Sequence, residues 1–177
     1  MKAIILAAGT ASRLRPLTNN IPKCLLRIGD RSLLQRSMDA LIANGIQEFV
    51  IVTGYLREKI EDFIAKQYPE AKVTFIYNKV FDSTNNIYSL WLARPEAAGQ
   101  EILLLDSDLL YDPAIVCRVM ASSDANVLTL ITHPLGEEEM KVVTDGEGNI
   151  LEINKTCNPA AAAGESLGIE RMSKAYT

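Results

Sequence analysis

Residues 2–23 read KAIILAAGTASRLRPLTNNIPK, a short apolar run followed by a long polar loop. The run at residues 3–6 is apolar without alternation, which is typical of a parallel strand buried on both faces. The loop is long for a strand-to-helix connection, which usually has about 2–6 residues, and long loops in compact domains are often functional. In open α/β sheets, ligands bind outside the carboxyl ends of the strands. The stretch therefore predicts a parallel α/β sheet with a ligand site at its first loop.

Three residues of this loop suit a phosphate ligand. Gly9 lets the backbone approach a phosphate closely, and consecutive backbone N–H groups can surround its oxygens. Arg13 offers a planar fork for two oxygens and Lys23 a compact point charge, so that together they can neutralise a triphosphate. The alternative is a solvated connection with incidental charges, and the Ala-Ala-Gly step alone would favour that alternative.

Strand-like and helix-like segments alternate along the rest of the chain, which favours an α/β fold with a mostly parallel sheet. Strands are predicted at residues 3–6, 49–52, 73–77, 102–105 and 127–131. Apolar residues at helical spacing predict four helices between them. Their expected core faces are Leu34, Met38, Leu41 and Ile42; Leu56, Ile60, Phe63 and Ile64; Ile87, Leu90 and Trp91; and Ile115, Val116, Val119 and Met120. We expect the third helix to end before Pro95.

The pattern changes after Pro134. Residues 140–143 and 150–153 predict a β-hairpin around a turn at residues 145–149. Residues 158–164 are expected to form a flexible loop, and residues 167–172 one more strand. No internal repeat or linker is visible, so residues 1–177 are predicted to form a single domain.

Composition excludes several classes of protein. The formal net charge of −4 shows no basic excess and argues against a nucleic-acid partner. No apolar stretch approaches the roughly 20 residues of a membrane helix, so we expect no membrane insertion. The three cysteines, Cys24, Cys117 and Cys157, are far apart and form no CxxC motif. They are typical of reduced thiols and predict a cytoplasmic protein.

Two aspartates follow the apolar strand at residues 102–105. Strand alternation directs Asp106 and Asp108 to the same side of the sheet, at the edge that also carries the Gly9 loop. Hard oxygen ligands there suit Mg²⁺, which commonly uses one or two carboxylates together with substrate phosphates. The alternative is that one aspartate caps the next helix, a position that Asp112 fits better. We therefore predict Asp108 as a metal ligand, with Asp106 as its partner.

Residues 2–26 resemble the signature of the sugar-phosphate nucleotidyltransferases, L-A-x-G-x-G-x-R-L-x-P-L-T followed by P-K-x-L. The matching positions are Gly9, Arg13, Leu14, Pro16, Leu17, Thr18, Pro22 and Lys23. Ala11 departs from the pattern, which usually has glycine at this position. The resemblance implies a three-layer, Rossmann-like fold similar to GT-A enzymes, with helices on both faces of a mostly parallel sheet and a β-hairpin region for the acceptor. Members usually continue with another helix and a late magnesium-binding aspartate, so we expect this chain to lack the usual C-terminal part.

The resemblance also implies roles for the first loop and the second aspartate. The backbone from Leu6 through Ala7, Ala8 and Gly9 to Thr10 would contact the nucleotide. Arg13 would bind the β- and γ-phosphates, Lys23 would stabilise charge at the α-phosphate, and Asp108 would hold Mg²⁺. An acceptor phosphate would then attack the α-phosphorus in line with the leaving pyrophosphate, which requires no protein nucleophile. The absence of a Ser/His/Asp or Cys/His set fits this chemistry, and His133, the only histidine, is expected to be structural.

The segment at residues 77–91 is dense in amides and hydroxyls at a strand-to-helix junction. Such groups can bind a base edge, whereas Ser83 or Thr84 could simply cap the helix. The phrase NNIYSL at residues 85–90 resembles the phosphocholine cytidylyltransferase branch of the family. That resemblance implies CTP as the nucleoside triphosphate, with cytosine recognition near Asn78, Ser83, Asn85 and Asn86.

Two residues of the C-terminal region are predicted to contact the acceptor. Lys155 ends the hairpin, where a lysine is usually just a solvated charge, but the resemblance implies that it binds the acceptor's phosphate. Glu165 could pair with a cationic acceptor or equally with a sugar hydroxyl. The hypotheses left open are a cytidylyltransferase acting on phosphocholine or a similar small phosphate, a sugar-1-phosphate nucleotidyltransferase, and a non-catalytic regulatory module that binds nucleotide.

Overall fold

Strands and helices alternate along the first two thirds of the chain, as the apolar periodicity predicts. A computed structural model describes all 177 residues. In chain order its elements are β1 (Lys2–Ala7), β2 (Arg27–Ile28), β3 (Arg31–Ser32), α1 (Leu33–Ala43), β4 (Glu48–Thr53), α2 (Arg57–Gln67), β5 (Lys72–Tyr77), α3 (Asn86–Ala97), β6 (Ile102–Asp106), α4 (Ala114–Ala121), β7 (Val127–Ile131), β8 (Lys141–Thr144), β9 (Ile150–Asn154) and β10 (Gly164–Met172). None of the helices combines the length and the apolar character that crossing a bilayer requires.

Eight of the strands form one mixed sheet with the order β5-β4-β1-β6-β10-β8-β9, and β7 also pairs with β10. The pairs β5/β4, β4/β1 and β1/β6 are parallel, whereas every pairing of β10 and β8 is antiparallel. The sheet therefore has a parallel half, built from the N-terminal strands, and an antiparallel half that contains the hairpin. The carboxyl ends of β1, β4, β5 and β6 meet at one edge, which is where the first loop and the two aspartates were expected.

Helices cover both faces of the parallel half and form the three predicted layers. Side chains of α1, α2 and α4 pack with alternate residues of β1, β4 and β6 in a cluster of 19 buried residues. On the other face, α3 packs against the remaining residues of the same strands in a smaller cluster of 8. The fold class predicted from the sequence is confirmed, since strands buried on both faces explain why residues 3–6 and 102–105 lack polar alternation.

The packing face of α3 differs from the prediction. Ile87 is 71% exposed and Trp91 is 50% exposed, whereas Ser89, Ala93 and Ala97 are buried against the sheet. These small residues recur every four positions and let the helix backbone approach the strands closely. The larger side chains therefore point outward; only Leu90 keeps a partly buried contact with the core.

The end of α3 also differs, because the helix continues past Pro95 to Ala97. Proline lacks the N–H that would hydrogen-bond to the carbonyl of residue 91. In this helix the Arg94 guanidinium donates to the Trp91 carbonyl oxygen instead, at 2.9 Å. The unpaired carbonyl is thus satisfied, and the last turn survives.

The predicted hairpin is confirmed and consists of β8 and β9. Its turn is held by the Asp145 carboxylate, which accepts from the backbone N–H groups of Glu147 and Asn149. The stretch expected to be a flexible loop contains a short 3-10 turn at Pro159–Ala161, and the Asn158 side chain caps it by accepting from the Ala160 N–H. The last strand is longer than predicted, because it begins at Gly164.

Candidate active site

The first loop leaves the carboxyl end of β1 and is fixed by its own polar contacts. Leu6, Ala7 and Ala8 are buried, whereas Gly9 is exposed and Thr10 is half-buried. No atom lies within 4 Å of the position that a Gly9 Cβ would occupy, so the backbone at Gly9 is open to a ligand. The chain then turns through a 3-10 helix at Ser12–Leu14, which carries Arg13 into solvent.

Ala11 adopts a left-handed conformation with φ 47° and ψ 43°. This is the conformation that favours glycine, which explains the glycine in the signature at this position. The buried Thr18 holds the turn by donating from its hydroxyl to the Ala11 carbonyl oxygen at 3.0 Å. Ala11 therefore adopts the backbone conformation in which glycine is favoured.

The loop is supported from β4 by two residues that the sequence analysis missed. A Cβ at Gly54 would lie 2.5 Å from the Ala8 carbonyl oxygen and 2.6 Å from the Phe81 Cβ, so only glycine fits there. The Tyr55 N–H donates to the same Ala8 oxygen, and the Tyr55 hydroxyl donates to the backbone carbonyls of Thr18 and Asn19. The sequence does contain a signal for Gly54, namely a glycine directly after a buried strand, which was also the signal used for Gly9.

Lys23 and Asp108 form an ion pair that joins the loop after β1 to the loop after β6. Lys23 begins a 3-10 turn whose other members, Cys24 and Leu25, are buried and anchor it. The strands β1 and β6 are parallel neighbours with Leu6 beside Asp106, which brings the two loops together. Both side chains are half-buried, so the pair remains open to a substrate. The two residues predicted from separate motifs thus meet at one point.

Asp106 ends β6 beside this pair. One of its oxygens accepts from the Asn86 side-chain amide at 2.8 Å, which links the aspartates to the start of α3. Burial, followed by the negative charges of Asp108 and Glu170, raises the pKa of Asp106 to about 6, although Lys23 acts in the opposite sense. Burial and the neighbouring carboxylates thus disfavour the charged form of Asp106.

The two aspartates fit a divalent cation. They are hard oxygen donors whose mutual repulsion a cation would relieve. No group of three or more His, Cys, Asp or Glu side chains is placed to share one ion. Substrate phosphates and water would have to complete the coordination, which is the usual arrangement for Mg²⁺.

The side chains predicted near the base occupy different environments. Asn78 is buried and fully engaged: its amide N–H groups donate to Thr84 and Ser89, and its oxygen accepts from the Val80 N–H. It therefore shapes the loop before α3. The prediction that Ser83 or Thr84 caps α3 is wrong, because both hydroxyls donate to the Val80 carbonyl and Asn85 occupies the cap position.

Of these side chains, Asn86 has a contact with the aspartate site. Ser83 and Asn85 are exposed on the same loop. The prediction that Asp112 caps α4 fits the structure, since its carboxylate accepts from the Ala114 N–H at 2.9 Å.

Lys155, which was predicted to contact the acceptor, lies one residue beyond β9. Its ammonium group contacts the Glu138 carboxylate at 3.0 Å, and the same Glu138 oxygen lies 3.7 Å from the Arg13 guanidinium. The buried Lys141 ammonium donates to the Lys155 carbonyl oxygen at 2.6 Å and so fixes its backbone. The structure thus joins Arg13 and Lys155, through a glutamate that sequence reasoning had not singled out.

Glu165, the other residue predicted to contact the acceptor, pairs with His133, with 2.8 Å between the His133 Nε2 and a Glu165 oxygen. The hydrogen bond to Glu165, and then the one to the Pro134 carbonyl, raise the pKa of His133. His133 is solvent-accessible, and its recognisable role is to orient the Glu165 carboxylate.

Comparison with known proteins identifies similar sequences. A family model described as "Nucleotidyl transferase" matches residues 2–153. A CMP-5'-(3-aminopropyl)phosphonate synthase from Streptomyces rubellomurinus is 32% identical over 148 residues, which cover 82% of this chain and 23% of that protein. A choline-phosphate cytidylyltransferase from Streptococcus pneumoniae is 38% identical over 109 residues, which cover 62% of this chain and 46% of that protein. The chain thus spans less than half the length of these two relatives.

A solved structure supports the fold assignment. The inositol-1-phosphate CTP transferase from T. maritima superposes with a TM-score of 0.82 over 98% of this chain and 71% of that one, at 24% sequence identity. Nearly the whole of this chain therefore has a counterpart in one known architecture.

Proposed function

The chain belongs to the nucleotidyl transferase family, and on that premise we propose that it transfers a nucleoside monophosphate from a nucleoside triphosphate to a phosphorylated small molecule. The observation that carries the proposal is the contact between Lys23 and Asp108 at the carboxyl edge of β1 and β6. The pair lies at the edge of the sheet that also carries the Gly9 loop, and a cation with a carboxylate at that edge suits a triphosphate and its counter-ion.

In the proposed reaction, an oxygen of the acceptor phosphate forms a bond to the α-phosphorus. The bond from the α-phosphorus to the bridging oxygen of the β-phosphate breaks, and pyrophosphate leaves with that electron pair. The chain's contribution is alignment and charge neutralisation, because the acceptor is already an anion and needs no protein base. Backbone groups near Gly9 and the Arg13 guanidinium hold the triphosphate, and Lys23 moves from Asp108 to the α-phosphate.

We propose that Asp106 and Asp108 hold Mg²⁺ together with the substrate phosphates. When bound, the cation neutralises charge on the phosphate oxygens. The raised pKa of Asp106 supports this assignment, since a carboxylate with uncompensated charge gains most from a divalent neighbour. The Asn86 amide then orients Asp106 through its hydrogen bond.

The finer proposal is that the nucleotide is CTP and the acceptor a small phosphate or phosphonate such as phosphocholine. Its support is the NNIYSL segment and the activities named for the two relatives. Ser83 and Asn85 on the loop before α3, and Asn86 at the first position of α3, are the side chains that would contact the base. The buried Asn78 holds that loop through its hydrogen bonds. Lys155 would bind the acceptor phosphate, and Glu165, oriented by His133, would face a cationic group of the acceptor.

The test measures pyrophosphate release in the presence of Mg²⁺. Each of the nucleotides CTP, UTP, dTTP and ATP is combined with each of the acceptors phosphocholine, phosphoethanolamine, 2-aminoethylphosphonate and glucose-1-phosphate. We expect turnover with CTP and an amine-bearing acceptor. Lys23→Ala and Asp108→Asn should each lower kcat by about 100-fold or more, because each removes charge compensation at the reacting phosphate.

Two matched controls lie away from the proposed site: Lys72→Ala at the amino end of β5, and Asp62→Asn on the exposed face of α2. Both variants should retain activity. Turnover that survives in the Lys23 and Asp108 variants would refute the assigned roles. Preference for a sugar-1-phosphate would replace the finer proposal, and nucleotide binding without turnover for any pair would favour a regulatory module.

A further inference from the structure

Arg13, Glu138 and Lys155 form an ion cluster at the mouth of the proposed site. Arg13 lies on the turn after β1 and Lys155 just beyond β9, so the two cations come from opposite halves of the sheet. Glu138 belongs to the connection between β7 and β8, residues 132–140, here called the strap. A single Glu138 oxygen faces both cations, at 3.7 Å from Arg13 and 3.0 Å from Lys155.

The backbone at or near each cation of this cluster is held by a hydrogen bond, although the Arg13 side chain itself is 89% exposed. The backbone of Lys155 is tied to the buried Lys141, and Arg13 is carried by the turn that Thr18 fixes. The Glu138 side chain is 77% exposed, and its carboxylate has no bond to the backbone of its own strap. Lys155 first and Arg13 second lower the pKa of Glu138, so the carboxylate is charged at neutral pH.

We propose that Glu138 is an internal counter-anion to Arg13 and Lys155, which leaves these cations when a substrate phosphate binds to them. The inference rests on the proposed function, which assigns both cations to phosphate groups. One carboxylate oxygen already faces both cations, so a phosphate that binds to either cation meets this carboxylate. A phosphate carries more charge and more acceptor oxygens than a carboxylate, and therefore binds the pair more strongly.

Displacement of Glu138 is inexpensive, because exposed ion pairs contribute little to stability. A phosphate bound in its place would also repel the carboxylate, so the two anions compete for one position. Removing the Glu138 charge should therefore tighten phosphate binding by about two- to five-fold, the range expected for an exposed ion pair.

The experiment measures the affinity of inorganic pyrophosphate by calorimetry at low ionic strength, for the wild type, Glu138→Gln and Glu137→Gln. Glu137 is the matched control, since it is exposed on the same strap and has no ion pair with either cation. Both variants remove one negative charge from the strap. We expect Glu138→Gln to bind pyrophosphate about two- to five-fold more tightly than Glu137→Gln, with a smaller difference in about 0.5 M salt.

A further comparison tests whether the effect of Glu138→Gln depends on the two cations. In an Arg13→Gln/Lys155→Met background, Glu138→Gln should no longer change pyrophosphate affinity, because no cation pair remains to be freed. Equal or weaker binding by Glu138→Gln relative to Glu137→Gln would overturn the proposal, and so would the absence of pyrophosphate binding in all of the variants.

The outcome is separable from that of the proposed function, because pyrophosphate binding requires neither CTP nor turnover. If the affinity difference is found but no acceptor is turned over, the counter-anion role stands and the proposed reaction fails. If turnover is found without the affinity difference, only the role of Glu138 fails.

Discussion

Ala11 is the one residue at which the loop signature and the backbone conformation can be compared directly. Left-handed backbone costs an alanine about 1–2 kcal/mol, and a glycine would avoid this cost while losing about 0.4–1 kcal/mol through greater freedom in the unfolded chain. We therefore expect Ala11→Gly to raise the free energy of unfolding by about 0.5–1 kcal/mol, measured by urea denaturation.

The control for Ala11 is Ala65→Gly on the exposed face of α2. Ala65 has ordinary helical backbone, so the same substitution should lower the free energy of unfolding by about 0.5–1 kcal/mol. If Ala11→Gly lowers the free energy of unfolding as much as Ala65→Gly does, the left-handed conformation of Ala11 carries no strain.

His133 gives a pH-dependent prediction, because it is the only histidine and its NMR signals need no assignment against others. The hydrogen bond to Glu165 raises its pKa above the ordinary value of 6.5. Folding therefore favours the protonated form of His133. The contribution of the His133–Glu165 pair to the stability of the folded state is fully present below pH 6.5 and is lost as the pH rises through the His133 pKa of the folded state. In Glu165→Gln, the His133 pKa should return toward 6.5.

The distal variant Glu70→Gln, on the loop after α2, is the control and should leave the His133 titration unchanged. An unaltered His133 pKa in Glu165→Gln would mean that the pair does not persist in solution, and would remove the support for an oriented Glu165 carboxylate.

Among the elements, β10 makes the aspartate site possible through a bulge near its middle. Gly168 has φ +78°, and a Cβ there would lie 2.6 Å from an Asp106 oxygen. Gly168→Ala should therefore lower the free energy of unfolding by about 1–3 kcal/mol and displace Asp106. The displacement should weaken Mg²⁺ binding, so that pyrophosphate release requires a higher Mg²⁺ concentration. Denaturation and a Mg²⁺ titration of activity measure the two effects.

Gly146 in the hairpin turn is the matched control for Gly168. It has no neighbour within 4 Å of a Cβ position, so Gly146→Ala should change stability by less than about 0.5 kcal/mol. If Gly168→Ala behaves like Gly146→Ala, the close approach to Asp106 is not a constraint.

The helix α3 shows what apolar periodicity leaves open. Two stripes of α3 have helical spacing, one of large residues that includes Trp91 and one of small residues that includes Ala93. Periodicity predicts the helix but does not say which stripe faces the sheet, because close packing on strands selects small side chains. The first loop was more predictable, since the position of a strand's carboxyl end follows from topology and not from side-chain packing.

The residues that sequence reasoning missed depend on contacts between distant segments. Gly54 is required by its approach to Ala8 and Phe81, and Glu138 matters because Arg13 and Lys155 converge on it. Glu138 belongs to no local motif, and the glycine directly after a buried strand at position 54 does not by itself indicate which segment approaches it. Their roles appear only when strands that are far apart in the chain lie side by side.

At the scale of the whole molecule, the two halves of the sheet have different proposed roles. The parallel half carries the Gly9 loop, Lys23 and the aspartates, and its order follows from strand–helix alternation. The antiparallel half carries Lys155 and Glu165. Its placement could not be predicted, because β10 pairs with β6 across more than sixty residues of chain, and no local pattern specifies such a pairing. The proposal therefore assigns nucleotide binding to one half and acceptor binding to the other.

This division predicts that Lys155→Met affects the two substrates unequally. A lost charge-assisted hydrogen bond to the acceptor phosphate should raise the acceptor KM about 10-fold or more, while the KM for CTP changes by less than about three-fold. Steady-state kinetics with each substrate varied in turn measure both effects. Lys174→Met removes an exposed lysine beyond β10 and should change neither KM. A lower kcat with an unchanged acceptor KM would instead place Lys155 at the reacting phosphate, because such a loss marks an interaction made only in the transition state.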